Sequence, residues 1–196
     1  MATRTGPVTK DTSTIALGLA KILVGSSSAN ISEDTQVLDE TADSLGALNS
    51  SNFTSNVEYW RLNSGFPQLE DLTLPLSESA QLDCEFKEMH PRNLAYARGV
   101  DASSGYDDAH SGELPLGTIS APDYVRAEAI YTYPNKTNKM YIIFPRAQVT
   151  SSMELSFNAE DNVNVPITIE AKRADSGVSG GDATWDSKPL GRIYFE

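Results

Sequence analysis

The sequence predicts a mainly β protein in which two packed antiparallel sheets form a sandwich or open barrel, with one short helix at the flank. Three observations predict this fold class. Apolar and polar residues alternate with a period of two over several stretches, as in strands that bury one face. Turn-forming residues separate these stretches. Only one stretch carries the start and stop signals of a helix.

The first strand is predicted close to the amino terminus, within TIALGLAKILVG. Ile15, Leu17 and Leu19 alternate with small residues, which is the period of a strand. Lys21 interrupts the apolar run, whereas the hydrophobic region of a secretory signal is unbroken. The sequence therefore predicts an early strand and no signal peptide.

Four later stretches show the same alternation. They are 80–86, 125–133, 149–157 and 165–171. In the second of them, Arg126 and Glu128 belong to the polar face, which we expect to lie opposite the core. The connection YPNKTNKM, between two strand patterns, predicts a hairpin turn.

One short helix is predicted within FKEMHPRNLAYARGV. Pro91 suits a first helical turn and Gly99 suits a helix stop, while Leu94 and Ala95 would face the core. His90 directly precedes Pro91, so we expect it to have a capping or surface role.

Two long stretches are predicted as loops of a single domain that covers residues 1–196. They extend over about 26–56 and 101–123. Loops of this length in a compact domain usually carry a function or become ordered against a partner.

The charge balance disfavours two kinds of partner. The chain has 27 acidic and 15 basic side chains, for a net charge of −12. Affinity for phosphate comes from clustered Lys and Arg, so a broad nucleic-acid-binding surface or docking on an anionic membrane is disfavoured. No stretch approaches the ~18 uninterrupted apolar residues of a membrane span.

The residue types and spacings of catalytic and metal sites are missing from the sequence. In the acidic loop that starts at Asp101, Tyr106 and Gly112 stand where a calcium loop needs Gly and Glu. His90 and His110 lack the spacing of a zinc site, and no glycine-rich phosphate loop or nucleophile elbow occurs. Cys84, the only cysteine, is predicted to be a buried strand residue. We therefore expect no enzyme activity, cofactor or metal.

A hairpin is predicted from Asn56 to Ser77, with its turn in the LNSGFPQLED stretch. Charged side chains alternate there with apolar ones, as in a strand pair with one wet face; they include Glu58, Arg61, Glu70 and Asp71. Such hairpins from several subunits, joined side by side, would close a barrel without open edges. These four residues are predicted to line its channel.

The order of features resembles that of the major tail protein of tailed bacteriophages, the subunit of the tail tube. Four stretches carry the resemblance: TGPVTKDTSTIALGLAKILVG, EYWRLNSGFPQLEDLTLPLSESAQLDCEFKEMHPRNLAYARG, YTYPNKTNKMYIIFPRAQVTSSMELSFNAEDNVNVPITIEAKR and WDSKPLGRIYFE. The passage SAQLDCEFKEMHPRNLAYARG is similar to the strand-then-helix passage of the family.

The resemblance implies a structural virion protein that is made in the host bacterial cytoplasm. Its copies would form hexameric rings that stack into a hollow tube, and DNA would pass through the lumen during ejection without specific binding. The tape measure, terminator and baseplate or tip proteins would be further partners. Loops or terminal arms would bridge successive rings, so we expect deletion of Asn30 to Leu48 to leave a folded monomer that polymerises poorly.

Two alternatives remain open at the level of sequence. One is a β-sandwich binding module for carbohydrate or surface adhesion, which would use the acidic loop and Tyr106 or Trp185. The other is a different virion component, such as a tail terminator or a decoration protein.

Overall fold

The computed structural model of the chain is mainly β, as predicted. It describes residues 18–66, 69–102, 105–106, 112–117, 121–134, 137–150, 152–157 and 162–196. The strands are β1 (Lys21–Ser26), β2 (Leu48–Ser64), β3 (Leu69–Phe86), β4 (Val125–Thr132), β5 (Lys139–Val149), β6 (Val165–Ala171) and β7 (Arg192–Phe195). The helices are α1 (Ser27–Asn30) and α2 (Pro91–Ala97), and a 3-10 turn covers Ala183–Trp185.

All strand pairs are antiparallel and belong to one open sheet with the order β1-β4-β5-β6-β3-β2. β5 joins the two halves of this sheet. The first part of β5 pairs with β7, and its last part, Ala147 to Val149, pairs with β6. The two predicted layers are therefore halves of one continuous sheet that share β5.

The core lies between these two halves. Apolar side chains of β1, β4 and β5 pack against those of β3 and β6, including Ile22, Phe144, Leu82 and Ile167. The rings of Phe53 and Phe144 approach to 6.2 Å between centroids across the core. Cys84 is buried in this core, as predicted.

The predicted helix is confirmed as α2. His90 is its N-cap, since the backbone amide of Arg92 donates to His90 Nδ1 at 3.2 Å. Ala95 is buried and Leu94 packs against the core from its edge. Gly99 adopts a φ of +74°, which suits the residue that stops a helix.

Three predicted boundaries differ from the structure. β1 begins at Lys21, so Leu19 precedes the strand, while Ile15 and Leu17 lie outside the described residues. The loop predicted over 26–56 ends earlier, because β2 already begins at Leu48. The described residues 152–157 form neither helix nor strand, although their sequence alternates. Alternation gives a segment one apolar face but does not provide the neighbouring strand that a ladder needs.

Much of the predicted loop 101–123 lies outside the described residues, including His110. Its described residues, 101–102, 105–106, 112–117 and 121–123, adopt no regular element.

The segment 31–47 is held tightly against the body. It covers the outer edge of β1, where the Val24 amide donates to Asp43 O at 3.0 Å and the Leu45 amide to Ile22 O at 3.1 Å. Leu38 and Leu45 are buried. The edge of β1 is therefore not available to another chain.

The same segment buries the face of β4 that was expected to lie away from the core. Arg126 and Glu128 are 0% and 1% exposed, and Arg126 Nε donates to Glu128 Oε1 at 2.7 Å. Arg126 also donates to the carbonyl oxygens of Asn30, Glu33 and Thr35. Glu128 accepts from two backbone amides of the segment, so both charges are fully paired.

The carboxy-terminal part of the chain also binds the segment 31–47, through a hydrogen bond and two ion pairs. Trp185 is fully buried, and its Nε1 donates to Ile31 O at 2.6 Å. Lys188 and Arg192 both bind Asp34 Oδ2, at 2.6 and 2.7 Å. Residues 30–45 of the long loop after β1 are therefore bound to the body of their own copy.

Candidate assembly surface

The predicted hairpin from Asn56 to Ser77 is confirmed and is longer than expected. β2 and β3 pair from Leu48 opposite Phe86 to Ser64 opposite Leu69. The turn includes Gly65, whose φ of +83° a residue with a side chain rarely adopts.

Most of this hairpin projects beyond the body. β3 pairs with β6 only from Gln81 to Phe86, so residues 69–80 pair with β2 alone. β2 is the last strand of the sheet within the described residues. From Asn56 to Ser79, which we call the distal hairpin, no other described strand pairs with either edge, so we call both edges open. At about 3.3 Å per residue this part extends roughly 25 Å.

Two bulges on β3 decide which side chains share a face. Glu58 pairs with Ser77 but Tyr59 pairs with Pro75, so Leu76 is an extra residue. Asp71 is extra in the same way. Side chains alternate between the two faces along a strand. Each extra residue therefore places the preceding residues of β3 on the face opposite to the one that uninterrupted alternation would give them.

The bulges reverse the chemistry of the two faces along the hairpin. Near the body, Phe53, Ala80 and Leu82 point to the core, and polar residues occupy the outer side. Beyond Leu76 the outer side is apolar instead. We call this outer surface the apolar tip face; it consists of Trp60, Leu62, Leu69, Leu72 and Leu74. The opposite surface carries Tyr59, Arg61, Asn63, Glu70, Thr73 and Pro75.

The structure brings together two of the four predicted channel residues. Arg61 and Glu70 form an exposed ion pair at 3.5 Å, and the Thr73 hydroxyl also donates to Glu70. Glu58 lies on the other face, where it accepts a hydrogen bond from Ser77 Oγ at 2.9 Å. Asp71 occupies a bulge and accepts from the Ser64 hydroxyl. The four side chains therefore do not form one wet face.

The distal hairpin exposes an unusual amount of apolar surface. Among the described residues sixteen large hydrophobic side chains are exposed, and half of these lie in 59–76: Tyr59, Trp60, Leu62, Phe66, Leu69, Leu72, Leu74 and Leu76. Phe66, in the turn, is 103% exposed. With more than half of each side chain exposed on average, the eight present roughly 800 Å².

A groove of about 140 Å³ lies where the hairpin leaves the body. Phe53 and Ala80 line one wall, and Phe144 and Ile193 line the other. Glu78 and Arg192 add opposite charges to this lining, so the groove has no net charge.

Within the described residues, no three His, Cys, Asp or Glu side chains lie together as a metal site requires. No helix in this part of the chain is long and apolar enough to span a membrane.

The residues suggested for a glycan-binding site are not presented to solvent in the required way. Trp185 is 0% exposed, so its ring cannot stack on a sugar. Tyr106 is half-buried and packs against the core. Trp185 therefore cannot contribute a sugar-stacking ring to the binding module that was considered as an alternative.

No protein-family model matches the sequence, and no curated protein matches it. The solved structures that are similar to the chain include the following three. One is the sheath-tube complex of an extracellular contractile injection system (PVC) in its extended state, with 11% identity, a TM-score of 0.48 and coverage of 91% of this chain and 88% of that one. The second is the sheath/tube terminator of the same kind of system, with 13% identity, a TM-score of 0.49 and coverage of 97% and 99%. The third is the tube terminating cap of the anti-feeding prophage, with 11% identity, a TM-score of 0.48 and coverage of 100% and 99%. At this level the likeness carries no functional conclusion for this chain.

Proposed function

We propose that the chain is a structural subunit whose copies join through the distal hairpin into hexameric rings, and that these rings stack into the hollow tail tube of a phage-type particle. The observation that supports this most strongly is a hairpin with two open edges and roughly 800 Å² of exposed apolar side chains. The assembly into hexameric rings and the stacking of these rings into a tube are inferred from the resemblance of the sequence to tail tube subunits.

The open edges require partner strands. A two-stranded hairpin alone is marginally stable in water, and its unpaired backbone groups invite another strand. The free edge of β2 in one copy and the free edge of β3 in the next can pair antiparallel, because all hairpins of a ring point the same way. Closing the ring removes every open edge of the hairpins.

The exposed area is large enough for stable association. Standard protein interfaces bury about 800 Å² on each partner, and obligate ones bury more and are more apolar. The distal hairpin alone presents roughly this area in apolar side chains, before its backbone edges are counted.

The charge of the hairpin suits a channel that carries DNA. Residues 56–79 contain four carboxylates, Glu58, Glu70, Asp71 and Glu78, against the single guanidinium of Arg61, for a net charge of −3. A lumen lined in part by these groups repels phosphate, so DNA moves through without being bound.

In this proposal the protein has no catalytic activity, cofactor or metal. It belongs to the virion tail, and its partners are other copies of itself together with the tape measure, terminator and baseplate or tip proteins.

The proposal is tested by removing the distal hairpin while keeping the body. Replacing residues 58–77 by Asn-Gly leaves Val57 opposite Glu78 across a two-residue turn of the favoured type. We expect a folded monomer with the thermal unfolding of the full chain and no rings or tubes in negative-stain images. Leu116→Ser, at an exposed leucine outside the hairpin, is the control and should assemble normally.

Two results would contradict the proposal. One is a full-length chain that stays monomeric over a range of salt and protein concentrations. The other is normal assembly of the shortened variant. Rings that close but never stack would indicate a tail terminator instead of a tube subunit.

A further inference from the structure

Lateral pairing of hairpin edges leaves the apolar tip face uncovered. Edge pairing satisfies backbone groups in the plane of the sheet, whereas Trp60, Leu62 and Leu72 stand perpendicular to that plane. A sheet buries an apolar face only under a second layer, about 10 Å away.

The other described residues of the same copy do not supply this layer. The apolar tip face lies beyond the last pair between β3 and β6, Gln81 opposite Glu170. Its five side chains remain 41–66% exposed. Within the described part of the chain, the surface is therefore open to another molecule.

The size of the apolar tip face is that of an interaction site. Five side chains that are about half exposed present roughly 450 Å² of contiguous apolar surface. Patches of several hundred Å² on a protein surface are typical of interaction sites, and scattered single hydrophobic residues are not.

The charges on the hairpin favour another copy of this chain as the partner. Two copies that each carry −12 repel one another over most of their surfaces. The five residues of the apolar tip face are uncharged, and Arg61 and Glu70 pair with each other on the opposite surface. Contact over these five side chains therefore brings two copies together where the face carries no charge. The nearest carboxylate on this side is Glu58, at the edge of the face next to the body, where it accepts from Ser77 Oγ.

We infer that the apolar tip face is the surface on which a copy of this chain from the next ring docks. This inference rests on the proposed function. The distal hairpin projects roughly 25 Å past the elements that hold it, so the next ring supplies the protein at that level. The tip of the hairpin then contributes a contact between rings, whereas residues 30–45 are bound to their own body.

The first test replaces two leucines of this face. In L72S/L74S the backbone edges and the body are unchanged, so we expect rings that no longer stack into tubes. Each lost leucine should weaken the contact between rings about tenfold. L116S removes an equally apolar exposed side chain elsewhere and should stack like the original chain.

The second test uses the fluorescence of Trp60. Trp60 is 48% exposed in one copy, whereas Trp185 is fully buried. Stacking should shift the emission to the blue and reduce acrylamide quenching, and W60F should show neither change. Single rings of L72S/L74S should keep Trp60 as accessible as in the monomer.

The outcomes separate this inference from the proposed function. If the original chain forms no rings, both are overturned. If L72S/L74S stacks normally, or if Trp60 stays accessible in tubes, only the docking inference is overturned. If L72S/L74S loses its rings as well, the face belongs to the lateral contact and the assignment to the next ring is wrong.

Discussion

Arg126 and Glu128, two residues apart on β4, form a fully buried ion pair at 2.7 Å on the side of the sheet away from the main core. The remaining hydrogen-bonding groups of both side chains bind the backbone of residues 30–38. The pair therefore fixes the segment after α1 to the sheet. Much of the segment that the sequence predicts as a long loop is thus packed against the body of the protein.

Glu128→Gln should destabilise the protein strongly. The substitution keeps the size of the side chain but leaves the buried charge of Arg126 without a carboxylate, which costs about 3–5 kcal/mol. The free energy of unfolding in guanidinium chloride measures the effect. Glu170→Gln, at the partly exposed Lys172–Glu170 pair, is the control and should cost less than about 1 kcal/mol. Equal losses for the two variants would contradict the role of burial.

Deletion of residues 30–48 should prevent folding, contrary to the expectation from sequence alone. It removes carbonyl acceptors of Arg126, amide donors to Glu128 and the cover of the β1 edge. An unpaired buried charge and an open edge favour unfolding and aggregation. The yield of dispersed protein and the far-UV circular dichroism report the result. A cooperatively folding monomer would show that the segment is dispensable.

Stability should fall in acid, partly through Asp34. The hydrogen bond from Lys188 and the charges of Lys188 and Arg192 hold the pKa of the Asp34 carboxyl below its ordinary value. A carboxyl whose pKa is lower in the folded state contributes stability above its unfolded pKa of about 3.9. That contribution is lost as the pH falls through the folded pKa. Asp34→Asn should therefore lower stability at pH 7 and lose less between pH 5 and pH 2 than the original chain does. Parallel pH profiles would contradict this.

Cys84 should not react with thiol reagents in the native protein. Burial, together with the neighbouring charge of Asp83, raises the pKa of the Cys84 thiol to about 12, so almost no thiolate forms at pH 8. Iodoacetamide should label the chain only after unfolding. Phe66→Cys adds a thiol at a fully exposed position and should give one rapid label in the native state. Rapid labelling of the original chain would indicate that the core opens locally.

Elements whose structure depends on their own residues could be predicted from local patterns in the sequence. The alternation around Cys84 and Ile167 identified β3 and β6, because a strand with one buried face carries its period in its own residues. The caps at His90 and Gly99 identified α2 for the same reason. The turn at Gly65 identified the hairpin.

Features that depend on distant partners could not be predicted. The burial of Arg126 comes from carbonyl groups more than ninety residues away in sequence. β7 has only four residues and exists because it pairs with β5. The faces of Glu58 and Glu70 depend on bulges, which are defined only by the register between two strands.

The bulge at Leu76 makes the hairpin tolerant of a change in chain length in a way that composition does not show. Loss of that single codon would restore plain alternation along this part of β3, and Leu72 and Leu74 would stay opposite Leu62 and Trp60 on the same face. The encoded protein would keep its other residues and its body. A one-residue deletion would thus be absorbed by the strand, and the surface through which copies meet would be preserved.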